Sequence, residues 1–204
     1  MRDLLLGVLA SHGGSNLQAM IDACKDGRLN ARVCVIISNN SDSTALRRAR
    51  REGIPGYHLS GKIHPGSGDL DKAIFDVLNQ HNVDLVILAG YMKKLGPHVL
   101  SRYHGRILNI HPALLPRFGG VGMYGNHVHE AVLEAGESVT GVTIHLVDEV
   151  YDHGSIIAQC EVPVLEGDTA DSLSERVLKR EHGFYVETLQ RIAEGEIEVA
   201  GIHD

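Results

Sequence analysis

The chain has 204 residues, of which 43% are hydrophobic and 22% are charged, and its formal net charge is -7 at pH 7. This composition is that of an ordinary globular domain, and it holds no run of about 18 apolar residues that would cross a membrane. The negative charge argues against nucleic acid as a partner but leaves room for a locally positive site that binds a small anion.

Two further features of the sequence indicate a cytoplasmic protein. The three cysteines, Cys24, Cys34 and Cys160, are far apart and form no CxxC pair, as expected in a reducing compartment. The N-terminal stretch MRDLLLGVLASHGG lacks a basic segment of the kind that begins a signal peptide and leads directly into a glycine loop, so we interpret it as a buried strand. No linker or repeat divides the chain, and we expect one domain over residues 1–204.

Apolar runs alternate with amphipathic stretches over the first half of the chain. The predicted strands are residues 4–10, 31–38, 56–59, 84–89 and 106–110. The predicted helices are 15–25, 43–52, 69–80 and 97–103, with a loop at 62–68. This repeated order predicts an α/β fold, with a mainly parallel twisted sheet and helices on both faces.

The second half has a different rhythm. A long irregular segment rich in glycine and proline covers residues 112–126, and a helix is predicted at 127–134. Two strands, 138–147 and 155–164, flank the turn DEVYDHG, and a long helix is predicted at 169–194.

The segment SHGGSNLQ, residues 11–18, joins the first strand to the first helix. Gly13 and Gly14 permit close approach of the backbone, and Ser15 is the predicted N-cap. Free amides at a helix N-terminus favour a phosphate. The segment is neither GxGxxG nor a P-loop, so a phosphate site and a plain turn capped by serine both remain open.

Asn109 and His111 lie two residues apart at the end of a predicted strand, so their side chains share one face. Ligands of open parallel sheets bind at the carboxyl ends of the strands. An asparagine can donate to a developing oxyanion, and a histidine can move a proton near pH 7. The pair suits acyl transfer to an amine, with a buried structural pair as the alternative.

Other polar segments are more ambiguous. Asp148, Glu149 and Asp152 form either a solvated acidic turn or the source of a carboxylate that orients His111. The segments Met92–Lys94 and Lys179–Glu181 are either solvated or contact an anionic ligand. The thirteen histidines include the motif HVH at 127–129 but no HExxH or Cys/His cluster, so we predict no metal site.

Three segments together resemble the folate-dependent formyltransferases: SHGGSNLQ, LAGYMKKLGP with ILNIHPALLP, and GVTIHLVDEVYDHGSIIAQ. The GSNLQ part is similar to the branch that acts on glycinamide ribonucleotide, and the chain length is similar to members without an appended tRNA or regulatory domain. The resemblance covers nearly the whole chain.

The resemblance implies a Rossmann-like α/β fold and formyl transfer from the co-substrate 10-formyltetrahydrofolate to the glycine amine of glycinamide ribonucleotide, without a metal. It implies small-molecule partners, no nucleic acid or membrane, and a monomer or homodimer. The implied catalytic residues are Asn109, His111 and Asp152. The implied ribonucleotide-binding residues are Gly14, Ser15, Asn16, Arg180, Glu181, His182 and Gly183, with Glu181 as partner of the amine. The implied folate-binding residues are Met92, Lys93, Lys94, Leu95, Asn109, Asp148, Glu149, Val150, Tyr151 and Asp152.

Several alternatives stay open at this stage. His111 either donates a proton or only stabilises charge. The acceptor is either glycinamide ribonucleotide or another amine, on a nucleotide sugar or a tRNA, and a nucleotide-binding module without chemistry is a further reading. The glycine-rich segment 118–126 is either a mobile lid or a fixed loop. No arginine near Ser67 matches one that binds folate in some relatives.

Overall fold

A computed structural model describes residues 3–202 of the chain. The expected single domain over 1–204 therefore includes ends, 1–2 and 203–204, that lie outside the described residues. The strands are β1 (Leu4–Leu9), β2 (Ala31–Ser38), β3 (Gly56–His58), β4 (Leu85–Leu88), β5 (Ile107–His111), β6 (Val139–Leu146) and β7 (Ile156–Pro163). The helices are α1 (Ser15–Lys25), α2 (Thr44–Glu52), α3 (Asp69–Gln80), α4 (Pro97–Arg102), α5 (Asn126–Glu134) and α6 (Ala170–Ala193).

The strands form one sheet in the order β3-β2-β1-β4-β5-β6-β7. Strands β1 to β5 pair in parallel, whereas β6 pairs antiparallel with both β5 and β7. The chain order reverses between β1 and β4, and crevices at such a reversal are where open α/β sheets bind ligands. The predicted α/β class with a mainly parallel sheet is confirmed.

Helices cover both faces of the sheet, as predicted. Alternate residues of β4 enter opposite cores: Leu85 and Ile87 pack with α1, α2 and α6, whereas Val86 and Leu88 pack with α3 and α4. This alternation is the period of two that a strand imposes on its side chains. A strand buried on both faces reads as a continuous apolar run, which is why β4 was recognisable from sequence.

Predicted and observed boundaries differ by at most one residue at either end of an element, and the start of α2 shows a local cause. Ser43, predicted as the first residue of α2, is its N-cap and accepts a hydrogen bond from the Leu46 amide at 3.2 Å. Gly53 ends α2 as predicted, in the left-handed conformation with φ 67°. Within residues 3–202, no helix combines the length and apolar character needed to cross a membrane.

The longest helix is tied to the centre of the sheet by a buried tyrosine. Tyr185 of α6 is fully buried, and its hydroxyl lies 3.4 Å from the Leu88 carbonyl and 3.2 Å from the Leu108 carbonyl. The single hydroxyl proton is shared between the ends of β4 and β5. This contact fixes α6 against the strands whose carboxyl ends form the site described below.

Two fully buried tyrosines allow a matched test of this contact. We expect Tyr185→Phe to lower the free energy of unfolding by about 0.5–1.5 kcal/mol, because it removes a satisfied hydrogen bond. The control is Tyr103→Phe, since the Tyr103 hydroxyl is buried without a hydrogen-bond partner among the described residues. This change should be neutral or stabilising. Urea unfolding of both variants checks the prediction, and equal losses in stability would contradict it.

Candidate active site

The side chains of Asn109 and His111 meet Asp152 at the end of β5. The Asp152 Oδ2 atom lies 3.5 Å from Nδ1 of His111, and its Oδ1 atom lies 3.5 Å from Nε2 of His145. Asn109 contacts the same histidine, since its Nδ2 atom lies 3.1 Å from Nε2 of His145. The three residues predicted from sequence are therefore brought together, and His145 joins them.

The backbone of the turn between β6 and β7 brings Asp152 into this position. Asp152 has a left-handed conformation with φ 54°, which aspartate tolerates better than most residues. The Gly120 amide donates to Asp152 Oδ2 at 2.9 Å. The turn ends at Gly154, where the backbone passes close to β6. Only glycine fits there, because a Cβ would lie 1.9 Å from the Leu146 carbonyl oxygen. The acidic turn is thus folded back over the strands instead of projecting into solvent.

Burial and neighbouring charges have opposite effects on the pKa values of His111 and Asp152. Burial lowers the pKa of His111 and outweighs the Asp152 charge, which acts to raise it. Burial acts to raise the pKa of Asp152, but contacts with His145, His111 and the Gly120 amide together lower it. At neutral pH the site therefore holds an ionised carboxylate beside a neutral imidazole.

The hydrogen-bond partners of the two imidazole rings indicate which nitrogen donates and which accepts. His111 Nε2 lies 2.7 Å from the Phe118 carbonyl oxygen, so Nε2 carries the proton and donates it. His145 Nδ1 lies 2.8 Å from the Leu146 carbonyl oxygen, which leaves Nε2 to accept from Asn109. The second amide proton of Asn109 stays available for a ligand.

The loop between β1 and α1 lies next to these residues. Gly14, not Ser15, is the N-cap of α1, with φ 65° and no side-chain cap, so the predicted cap was one residue too late. A Cβ on Gly14 would lie 3.2 Å from Ala45 Cβ, so both backbone conformation and packing require glycine. Free amides of the first turn follow directly, which is the arrangement that accepts an anion.

A buried carboxyl group lies behind the first turn of α1. Asn16 Nδ2 donates to Glu181 Oε2 at 2.7 Å, and both residues are buried. Burial raises the pKa of Glu181 to about 7, although the Asn16 contact acts to lower it. Within the part of the chain that the structure describes, Asn16 Oδ1 has no hydrogen-bond partner. The pair can therefore take a further donor from a ligand.

One cavity of about 580 Å³ connects these groups, a size within the range of ligand pockets. Its walls combine the loop after β1, the end of β5, the glycine-rich segment, Asp152 and one face of α6. The predicted site residues that line it are Gly14, Ser15, Asn16, Met92, Asn109, His111, Tyr151, Asp152 and Glu181.

The other residues predicted on α6 are not brought to this cavity. The Arg180 guanidinium makes two hydrogen bonds of 2.9 Å to Glu187 and stacks over the Phe184 ring. Gly183 follows on the same side of the helix. His182 is half-buried. Its pKa is lowered mainly by burial and to a smaller extent by the positive charge of Arg48. Within residues 3–202, α6 supplies Ser174, Leu178 and Glu181 to the lining.

The predicted folate-binding residues line a second, smaller cavity of about 60 Å³. It shares Asn109, Tyr151 and Asp152 with the larger cavity, so the two adjoin at the catalytic candidates. The remaining predicted residues in its walls are Lys93, Lys94, Leu95, Asp148, Glu149 and Val150. Met92 borders the larger cavity, and its amide donates to Ser11 Oγ at 2.7 Å.

Three residues of the site were missed at the sequence level. His145 faces Asn109 directly in the β5–β6 register, and only knowledge of that pairing would have selected it. His129 is buried and lines the larger cavity, whereas its HVH motif was considered from sequence only as a possible metal site. Arg48 of α2 donates from Nε to the Gly13 carbonyl at 3.0 Å, which brings a cation to the loop after β1.

No group of three or more histidine, cysteine, aspartate or glutamate side chains suited to a metal ion is present within residues 3–202. The polar groups that line the larger cavity include an amide, imidazoles, carboxyls and hydroxyls. Such a set stabilises a developing oxyanion and moves protons, as acyl transfer to an amine requires.

Comparison with known proteins agrees with this chemistry. The phosphoribosylglycinamide formyltransferase of the Arabidopsis thaliana chloroplast is 44% identical over 94% of this chain and 66% of its own. Its counterpart from Escherichia coli K12 is 38% identical over 94% of this chain and 88% of its own. The crystal structure of glycinamide ribonucleotide transformylase 1 from Symbiobacterium toebii has a TM-score of 0.89 at 42% identity, covering 98% of this chain and 92% of that one.

The chain spans 66% and 62% of the lengths of the two chloroplastic relatives, from Arabidopsis thaliana and Vigna unguiculata. A family model described as formyl transferase matches residues 6–189, which extend from within β1 to within α6. The chain belongs to the formyl transferase family.

Proposed function

We propose that this protein transfers the formyl group of 10-formyltetrahydrofolate to the glycine amine of glycinamide ribonucleotide. The observation that carries the proposal is the single cavity in which Asn109, His111 and Asp152 lie next to the anion-accepting loop after β1. A phosphate bound at that loop leaves the rest of the substrate to extend toward β5. Relatives named for this reaction support the assignment.

In the proposed complex the phosphate lies on the first-turn amides of α1, and Arg48 supplies a nearby positive charge. The glycine amine lies beside Glu181, whose carboxyl has a pKa of about 7. Such a group accepts a proton from the incoming ammonium near neutral pH. The amine is then a competent nucleophile without a metal.

The neutral amine attacks the formyl carbon and forms a tetrahedral intermediate. The free amide proton of Asn109 binds the oxyanion, while Asp152 favours positive charge on His111 and His145 as charge develops. The bond from the formyl carbon to N10 then breaks, and the proton released by the attacking amine passes to N10. The products are the formylated amide and tetrahydrofolate.

Folate lies in this scheme along the smaller cavity, between Lys93–Leu95 and the turn Asp148–Asp152. The formyl group reaches the common boundary of the two cavities at Asn109. The Nε2–H of His111 donates to the Phe118 carbonyl, so transfer of that proton to a substrate requires the segment around Phe118 to move. We also propose, as the sequence predicts, that the protein has small-molecule partners, a cytoplasmic location, and a monomeric or homodimeric state.

A spectrophotometric assay tests the proposed function. The absorbance change that accompanies loss of the formyl group from 10-formyltetrahydrofolate is followed with and without glycinamide ribonucleotide. We expect turnover only when both substrates are present. Turnover with another amine but not with glycinamide ribonucleotide would overturn the assignment of the acceptor, and no turnover with either would overturn the assignment of the reaction.

The first functional prediction concerns the carboxylate and imidazole. We expect His111→Ala and Asp152→Asn to lower kcat by roughly 100-fold or more, because each removes stabilisation of the charge that develops in the transition state. Asparagine tolerates the left-handed backbone of position 152, so this variant should keep its fold. His153→Ala, on an exposed side chain of the same turn, is the control. Near-normal turnover in either site variant would refute these roles.

The second prediction concerns Arg48. Replacing it with alanine removes a charge beside the loop after β1, so we expect the KM for glycinamide ribonucleotide to rise by about tenfold with a smaller effect on kcat. Arg47→Ala is the matched control, because the Arg47 guanidinium contacts Thr44 of its own helix. Steady-state kinetics at saturating folate provide the measurement. Equal changes in KM for the two variants would exclude a local role for Arg48.

The third prediction concerns the pH dependence of stability. The pKa of Glu181 is raised from 4.5 to about 7, so the folded state disfavours its ionised form. The destabilisation begins above pH 4.5 and is complete above pH 7. Glu181→Gln, which retains an acceptor for Asn16, should therefore gain about 3 kcal/mol relative to the unmodified chain across that interval.

Urea unfolding at pH 4.5 and pH 8 measures this difference. Glu175→Gln is the control, because Glu175 lies exposed on the same helix. Its stability should follow that of the unmodified chain at both pH values. If the stability of Glu181→Gln also matched that of the unmodified chain at both pH values, the Glu181 carboxyl would be ionised in the folded protein without an energetic cost.

A further inference from the structure

A buried serine lies between the two loops that carry the proposed substrate sites. Ser11 is the second residue after β1 and is fully buried. It lies outside the lining of both the larger and the smaller cavity, so we assign it no contact with either substrate. Any part that it takes in the reaction is therefore exercised through other residues.

The hydrogen bonds of Ser11 reach the loops that follow two other strands. Its amide donates to the Gly90 carbonyl at 3.0 Å, and its Oγ accepts from the Met92 amide at 2.7 Å, both in the loop after β4. In the loop after β2, its Oγ donates to Asn39 Oδ1 at 2.6 Å, and its carbonyl accepts from Asn40 Nδ2 at 2.7 Å. Ser11 therefore joins the loops after β1, β2 and β4.

The two asparagines determine the direction of the hydroxyl proton. Asn39 Oδ1 can only accept, so it takes the single proton of the Ser11 hydroxyl. The Asn39 amide is itself oriented, because its Nδ2 atom lies 3.4 Å from Asn40 Oδ1. The lone pairs of Ser11 Oγ are then left for the Met92 amide. The hydroxyl thus holds Met92 in one defined direction.

The two loops joined by the Ser11–Met92 hydrogen bond hold different substrates in the proposed function. Three residues after Ser11, Gly14 begins the anion-accepting first turn of α1. Directly after Met92, the segment Lys93–Leu95 lines the smaller cavity in which folate is proposed to lie. This hydrogen bond is therefore a short connection between the loop for the phosphate of one substrate and the wall beside the other.

We propose that Ser11 is a positioning residue for formyl transfer, whose hydroxyl sets the loop after β4 relative to the loop after β1. It thereby sets the formyl carbon relative to the attacking amine. This inference rests on the proposed function, which places the two substrates on these loops. Each substrate binds to its own loop, so loss of the hydroxyl changes the distance between the reacting atoms more than it changes either binding step. A displacement of about 1 Å in such a distance can lower the rate by about 100-fold.

Ser11→Ala tests the proposal. The backbone hydrogen bond to Gly90 remains in this variant, so the strand ends stay joined while the side-chain bonds to Met92 and Asn39 are lost. We expect kcat to fall by about 10- to 100-fold. The dissociation constants of glycinamide ribonucleotide alone and of tetrahydrofolate alone, measured by isothermal titration calorimetry, should change by less than about twofold. Ser11→Cys has a weaker hydrogen-bonding group on a similar side chain and should give an intermediate kcat.

Ser38→Ala is the matched control. Ser38 is also fully buried, but its Oγ accepts from the amide of Asn40, two residues along the chain, at 3.2 Å. This variant should lose stability toward urea but keep its kcat, because it breaks no bond between the loops after β1 and β4.

Three outcomes overturn the inference and leave the proposed function standing. They are a normal kcat in Ser11→Ala, an equal loss of kcat in Ser38→Ala, and a loss in Ser11→Ala that is confined to the binding of the substrates. If Ser11→Ala does not fold, Ser11→Cys decides, and a kcat equal to that of the unmodified chain overturns the inference. Absence of turnover by the unmodified chain overturns the proposed function as well.

Discussion

The antiparallel pairing of β5 with β6 is the constraint on which the site depends. Directly opposite residues of an antiparallel pair place their side chains on one face, so Asn109 and His145 are neighbours by register alone. The turn after β6 then folds back over that face, and Asp152 contacts both His145 and His111. A purely parallel sheet would need a crossover at this point and would carry the carboxylate away from β5.

This arrangement concentrates backbone strain next to the catalytic candidates. Asp152 and Phe118 both have a left-handed conformation, with φ 54° and φ 56°, and such residues cost of order 1 kcal/mol each. The cost is offset by specific contacts, since Gly120 donates to Asp152 and the Phe118 carbonyl accepts from His111. The turn that carries Asp152 and the glycine-rich segment are therefore linked by the hydrogen bonds of Asp152 and His111.

The sequence predicted what depends on local patterns. Apolar runs located the strands, and the period of two placed Asn109 and His111 on one face before any pairing was known. His145 and Arg48 were missed because strand register and helix–loop contact join residues far apart in the chain. Arg180 was included because the family resemblance implied the whole segment 180–183, but adjacent residues of a helix point in different directions and Arg180 does not line the larger cavity. The catalytic roles themselves remain predictions.

The distribution of charge suits an acidic chain to the two anionic substrates of the proposed reaction. Cations lie near the two ends of the proposed reaction path: Arg48 beside the loop after β1, and Lys93 and Lys94 beside the smaller cavity. The centre holds ionised Asp152, neutral His111 and Glu181, whose pKa is near 7. A fixed cation at the centre would lower the pKa of the attacking amine, but it would also attract the phosphate or carboxylate groups of the substrates to the reacting position. In the proposed complex, fixed positive charges at the two ends orient the two substrates, and the proton transfers at the centre are left to groups that titrate near neutral pH.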